Sequence, residues 1–227
     1  MPGPQTGKPP SEPVRHITAS SNLSLSIALT GDADLDRALI AGHLRKLSSI
    51  PRLSFAPPPA EDWDAVCALL RAPEMIYFLC HGDVDQQEGP YLGIGARDAE
   101  RRHRVYAKSL SSFFTGVGVD ADEWARKAPL VVINGCHTTN LTPGEMLNFV
   151  APFTQAGASG VIGTEISVLL KVAVPVAEML FASLATEEPV ADAIRTMRWT
   201  LVNRGNLLGL AYTPYCFADL RVSFVQG

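Results

Sequence analysis

The sequence predicts an α/β domain in which a mostly parallel sheet is flanked by helices on both faces. Three observations carry that expectation. The apolar runs "EMIYFLC" (Glu74–Cys80) and "PLVVINGC" (Pro129–Cys136) are near-continuous, as strands buried on both faces are. Segments with apolar residues at helical spacing lie between such runs and serve as crossover connections. Finally, 47% of the 227 residues are hydrophobic, enough for a substantial core in one domain.

The elements follow in order. Five prolines in the first 13 positions make residues 1–20 read as a flexible Pro-rich tail, with one folded domain over residues 21–227. "LSLSIALT" (Leu23–Thr30) suits a strand, and "GDADLDRALIAGHLRKL" a helix with Asp32 or Asp34 as N-cap and Leu35, Leu39, Ile40, His43 and Leu44 at helical spacing. "RLSFA" is a possible strand, "PPPAED" a loop, and "EDWDAVCALLRA" a helix with Trp63, Val66, Cys67 and Leu70 on one face. The Glu74–Cys80 strand then ends abruptly in His81-Gly82-Asp83. From Asp83 to Val105 the chain is polar and reads as a loop or loose hairpin with arms "YLGIG" and "HRVYA". A short helix "KSLSSFFTGV" leads to the Pro129–Cys136 strand, and "PGEMLNFVAPFTQAG" is a helix closed by Gly157. "GVIGT" is another strand, helices follow over Val172–Ala185 and Pro189–Asn203, and "LGLAYTPYCFADLRVSFV" supplies one or two β segments. No repeat of solenoid period occurs.

Composition excludes several functions. A formal charge of −4 is not the footprint of a nucleic-acid or acidic-membrane binder, and the basic stretch "RDAERRHR" is interrupted by Asp98 and Glu100. The opening "MPGPQTGKPP" lacks the apolar region of a signal peptide, and no apolar run reaches the ~20 residues of a membrane span, so a cytoplasmic setting without membrane contact is expected. The four cysteines are widely spaced, which argues for reduced thiols rather than zinc or disulfides. No Gly-rich phosphate cradle opens a helix, so no nucleotide or other cofactor is expected.

Chemistry gathers at two strand ends. In open α/β sheets, functional residues collect at the carboxyl ends of strands. Here one such end presents His81 and another, 55 positions later, presents Cys136. A free thiol is only a few per cent ionised at pH 7, so an imidazole beside it raises the reactive fraction. Gly82 lets the backbone approach a substrate carbonyl, and its N–H with that of Cys136 suits an oxyanion hole. His137 is adjacent in sequence, but consecutive residues leaving a strand point to opposite sides, so His81 is the better base. The same divergence argues against a zinc site at Cys136 and His137. Cys136 alone also fits a small buried hydrophobe, and Cys80, alternating with His81, fits that role well.

At these residues the sequence resembles the caspase-like (clan CD) cysteine peptidases, and within them the bacterial CHAT family, related to caspases and separase. "IYFLCHG" resembles the family's histidine strand and "LVVINGCHT" its cysteine strand. "FTQAGASGVIGTEISV" and "AIRTMRWTLVNRGNLLGLAYTPYCFADLRVSF" are similar to its later strand and closing segments. The resemblance implies a caspase-like three-layer fold and a cysteine endopeptidase, with Cys136 as nucleophile and His81 as general base and acid. By the same likeness Asn134, two before the nucleophile, lines the pocket for the residue preceding the scissile bond, with the segment after "GTEISV" as another wall. Many relatives carry tryptophan and aspartate where this chain has Ile166 and Leu170, which counts against a basic preference; Glu165, Asp83 and Asp85 are the remaining acidic candidates.

The resemblance also implies cleavage of one protein substrate on a signal, often in antiviral defence or cell death. The length leaves no room for a sensor domain, so a separate activating or sensor protein is expected. The alternative is a catalytically inactive caspase-like interaction module.

Overall fold

The computed structural model describes residues 15–30, 37–55, 58–95, 101–116, 119–136, 143–166 and 168–225; at Cys136 the description is of the backbone. In chain order the strands are β1 (His16–Ala19), β2 (Leu23–Leu29), β3 (Leu53–Ser54), β4 (Met75–Asp85), β5 (Gly89–Gly93), β6 (Arg104–Tyr106), β7 (Leu130–Cys136), β8 (Gly160–Thr164), β9 (Tyr212–Cys216) and β10 (Arg221–Phe224). The helices are α1 (Arg37–Ser48), α2 (Trp63–Leu69), α3 (Ala107–Thr115), α4 (Ala121–Lys127), α5 (Pro143–Ala156), α6 (Leu170–Ala185) and α7 (Val190–Val202), with short 3-10 turns at Arg101–His103 and Leu207–Ala211.

The main sheet runs β3-β2-β4-β7-β8-β9. Its first five strands pair in parallel, and β9 closes the edge antiparallel. Strand alternation sorts the apolar side chains into two cores. Met75, Tyr77, Leu79, Leu130 and Val132 pack with α1, α6 and α7, whereas Ile76, Phe78, Cys80, Val131 and Ile133 pack with Val66, Leu110, Trp124 and Phe153 of α2 to α5. This is the expected three-layer α/β architecture.

Local chemistry sets several boundaries. The Asp62 carboxylate accepts from Ala65 N–H at 2.9 Å and starts α2; Asp120 accepts from the Asp122 and Glu123 amides, each at 3.0 Å, and starts α4. Gly157 stops α5 at a φ of +102°, where a Cβ would also press to 3.0 Å from the Ala125 Cα. Gly160 pairs with Cys216, and a Cβ there would lie 2.2 Å from the Cys216 Cβ.

One expectation is corrected and two others gain detail. The tail does not extend to residue 20: β1 pairs in parallel with β10, and Ile17 and Ala19 are 1% and 0% exposed. Four alternating residues next to a proline-rich stretch carry too little pattern to reveal a partner some two hundred positions away. The polar stretch after His81 takes the expected hairpin form, its arms falling on the antiparallel pair β5 and β6, while β4 runs on past His81 to Asp85 and pairs antiparallel with β5. Asp85 caps the intervening turn, accepting from the Gln87 and Glu88 amides at 2.9 and 3.0 Å. The stretch "LGLAYTP" opens with a 3-10 turn before β9 begins. The Asp32 and Asp34 cap positions lie outside the described residues.

Candidate active site

Positions 81 and 136 meet because the β4–β7 ladder runs unbroken from Met75 opposite Leu130 to His81 opposite Cys136. Residues in register on adjacent parallel strands share a face, with the strands ~4.8 Å apart. The pair therefore occupies the last rung at the carboxyl end of β7, on the face covered by α6. His81 is half-buried, with its Nε2 withdrawn from solvent. Cys80 takes the opposite face and is 0% exposed in the core beneath α5. His137 lies outside the described residues.

Backbone direction places the Gly82 amide. The Leu79 carbonyl accepts from Thr30 N–H on the β2 side at 2.9 Å, so by alternation the amides of Cys80 and Gly82 face β7. Gly82 N–H thus points toward the end of the strand that carries Cys136. Both amides expected in the oxyanion hole lie on the last rung, where an incoming oxygen competes with the carbonyls of Cys80 and Cys136.

The three pocket residues expected from sequence are placed differently from one another. Asn134 is 0% exposed and its amide is fully engaged: Nδ2 donates to the Ala173 carbonyl at 2.7 Å and to the Tyr77 hydroxyl at 3.3 Å, and Oδ1 accepts from Tyr212 at 2.6 Å. Asp83 shares the face of His81 two residues on; it accepts from Val84 N–H at 2.8 Å and from the Tyr91 hydroxyl at 3.4 Å. Glu165 follows β8, and its carboxylate turns to the Tyr215 hydroxyl at 3.3 Å, toward the core opposite Asn134. Beside it, Ile166 and Leu169 are 52% and 45% exposed. Asp85 accepts from Arg104 at 3.1 Å, and its two amide donors hold its carboxyl below the ordinary range.

Sequence reading missed a polar chain behind Asn134. His43 and Tyr77, read as members of an apolar helix face and an apolar strand, are 1% and 0% exposed, and His43 Nε2 lies 3.2 Å from the Tyr77 hydroxyl. His43 Nδ1 lies 3.1 Å from Glu178, which also holds Lys46 at 3.1 Å. Burial lowers the His43 pKa despite Glu178. A histidine and a tyrosine at core positions were the available signal, since each buries polar atoms that need partners.

The described cysteines Cys67, Cys80 and Cys216 form no disulfide, and burial pushes Cys67 and Cys216 up to about 11. Among the described residues no cluster of three or more His, Cys, Asp or Glu is arranged to hold a metal ion, and no helix is long and apolar enough to cross a membrane.

Comparison with known proteins shows the family and the fold. A "Probable protease" of Vitiosangium sp. (strain GDMCC 1.1324) is 31% identical over 216 residues, which is 88% of this chain and 25% of that protein. The chain thus spans about a quarter of that relative's length. Two structures of the Saccharomyces cerevisiae separase–securin complex share the fold at 17% identity, with TM-scores of 0.56 and 0.53 over 95% and 94% of this chain and 13% and 12% of theirs. The CHAT domain family matches residues 33–215. With that match over most of its length, the chain belongs to the CHAT domain family.

Proposed function

We propose that this chain is a cysteine endopeptidase working through a Cys136–His81 dyad. The observation that carries the reading is the pairing of these two positions on the last rung between β4 and β7, on one face of the sheet. His81 takes the thiol proton, and the Cys136 sulfur forms a bond to the scissile carbonyl carbon. The carbonyl oxygen becomes an oxyanion, held by the Gly82 and Cys136 amides once the last rung opens to admit it. His81 returns the proton to the leaving nitrogen as the C–N bond breaks, leaving a thioester. Water then attacks the thioester carbon with His81 again as base, the C–S bond breaks with the proton returning from His81 to the sulfur, and the acid product is released.

The substrate on this reading is one specific protein, and cleavage waits on an activating partner in a bacterial defence or cell-death pathway, in the cytoplasm. Support for a protein partner comes from the likeness to a protein found complexed with securin. The test is mass-spectrometric substrate profiling of wild type against Cys136→Ala and His81→Ala, with neighbouring genes co-expressed. New termini present only with wild type are expected; identical termini in all three would end the peptidase reading. A thiol-reactive peptide electrophile that never labels Cys136 in any activated state would favour an interaction module.

A further inference from the structure

We propose that Asn134, Tyr77, Tyr212 and His43 act as one hydrogen-bonded chain of positioning residues that fixes the carboxyl end of β7, and with it Cys136, against β4. The proposal rests on the reading of Cys136 as nucleophile. Asn134 stands opposite Leu79, one same-face position before the Cys136–His81 rung. Its amide joins four elements: β7, which carries it, α6 through the Ala173 carbonyl, β4 through Tyr77 and β9 through Tyr212. Tyr212 is itself held by its backbone, whose carbonyl accepts from Arg198 at 2.5 Å. A leucine beside Leu79 would take from Tyr212, Tyr77 and the Ala173 carbonyl the partner that Asn134 gives each of them. A fully buried, fully bonded amide instead restricts geometry, because each of its partners must keep its place for all to be bonded.

The directions of the hydrogen bonds follow from the acceptors at the two ends of the chain. Ala173 offers a carbonyl, which only accepts, so the NH2 of Asn134 faces it and the neighbouring Tyr77 oxygen. Asn134 Oδ1 is therefore the acceptor for the Tyr212 O–H. The Glu178 carboxylate only accepts, so the His43 proton sits on Nδ1 facing it; a neutral His43 then offers Nε2 as an acceptor, and the Tyr77 O–H donates to it. A neutral His43 completes the order, and the lowering of its pKa by burial agrees with it. The charged groups facing His43 are Glu178 on α6 and Lys46 on its own helix, and Tyr77 faces it from β4. On this proposal the four act through the strand.

The test uses alkylation of Cys136 by iodoacetamide, resolved by mass spectrometry from pH 5 to 9, in wild type, Tyr212→Phe and Tyr77→Phe. Each variant removes one hydroxyl. Trp124→Phe serves as control: it removes an equally buried donor, to the Leu70 carbonyl, in the opposite core. The expected result is that the apparent thiol pKa of Cys136 moves up by at least about half a pH unit in the tyrosine variants, toward the ordinary ~8.5, while Trp124→Phe lowers Tm and leaves it in place. Tyrosine variants that lose Tm but keep the wild-type pH profile would overturn the proposal, as would an equal shift in the control. If Tyr212→Phe does not fold, Tyr77→Phe, which loses a longer bond, decides. A wild-type thiol already titrating at the ordinary value would instead remove the nucleophile reading, a result distinguishable from the other two.

Discussion

Replacing His81 with alanine should change how one thiol titrates and leave the other described cysteines alone. At pH 7 a thiol with pKa of about 11, as at Cys67 and Cys216, is ionised to roughly one part in ten thousand. A thiol lowered to ~7 by an imidazole is about half ionised, and one relaxed to ~8.5 about 3%. The thiolate fraction of Cys136 thus falls roughly fifteenfold on losing His81. Intrinsic nucleophilicity rises with basicity and offsets about fivefold of that, so the rate should fall only about threefold at pH 7 and about sixfold at pH 5.5. The displacement of the profile by ~1.5 pH units is accordingly the sharper observable. Site-resolved iodoacetamide alkylation measures both, with circular dichroism to show that the variant is folded. A folded His81→Ala protein whose Cys136 profile is unmoved, or wild type in which Cys67 or Cys216 labels as fast as Cys136, would refute the reasoning.

Three further outcomes are expected. A peptide library should be cut after apolar residues, because Ile166 and Leu169 stand exposed beside β8 while Glu165 is turned to Tyr215; dominant cleavage after Lys or Arg would contradict this. Because the native pKa of His43 is lowered, the unfolded chain binds the extra proton first as pH falls, so this contribution to stability is whole above ~6.5 and declines below it. His43→Gln should flatten the fall in urea midpoint between pH 6.5 and 5, and an unchanged slope would show that His43 is not its source. Gly160→Ala drives a Cβ against Cys216 and should lose ~2 kcal/mol or more in urea unfolding, partly recovered by Cys216→Gly; a wild-type midpoint would show that the strands separate freely there.

The strand ends are legible in the sequence because a strand buried on both faces is apolar until it leaves the sheet. His81, the first polar residue after "IYFLC", marks where that strand begins to meet solvent, whereas the first polar residue within "VINGC", Asn134, is still buried. Crossover helices are legible for the same reason, through their apolar spacing. Pairings made only by tertiary contact are not. β1 has four residues and its partner is β10, at the other end of the chain. Helix α4 escapes notice because its seven residues bury one large side chain, Trp124, and its start depends on the Asp120 cap rather than on periodicity. Asn134 is legible as a residue beside a nucleophile but not as a bonded one. Its partners lie at positions 77, 173 and 212, and only the fold brings them together.

The small β1–β10 sheet bears on how this domain answers mechanical load. Its two strands run in the same direction with His16 beside Arg221 and Ala19 beside Phe224, so the polypeptide enters at one end of the patch and leaves at the other. Pulling on both flanking segments drags the strands past each other lengthwise, and the cross-links between them resist together instead of peeling apart in turn. Where such a module is spliced into a longer polypeptide, tension along that polypeptide is taken up first at this clasp.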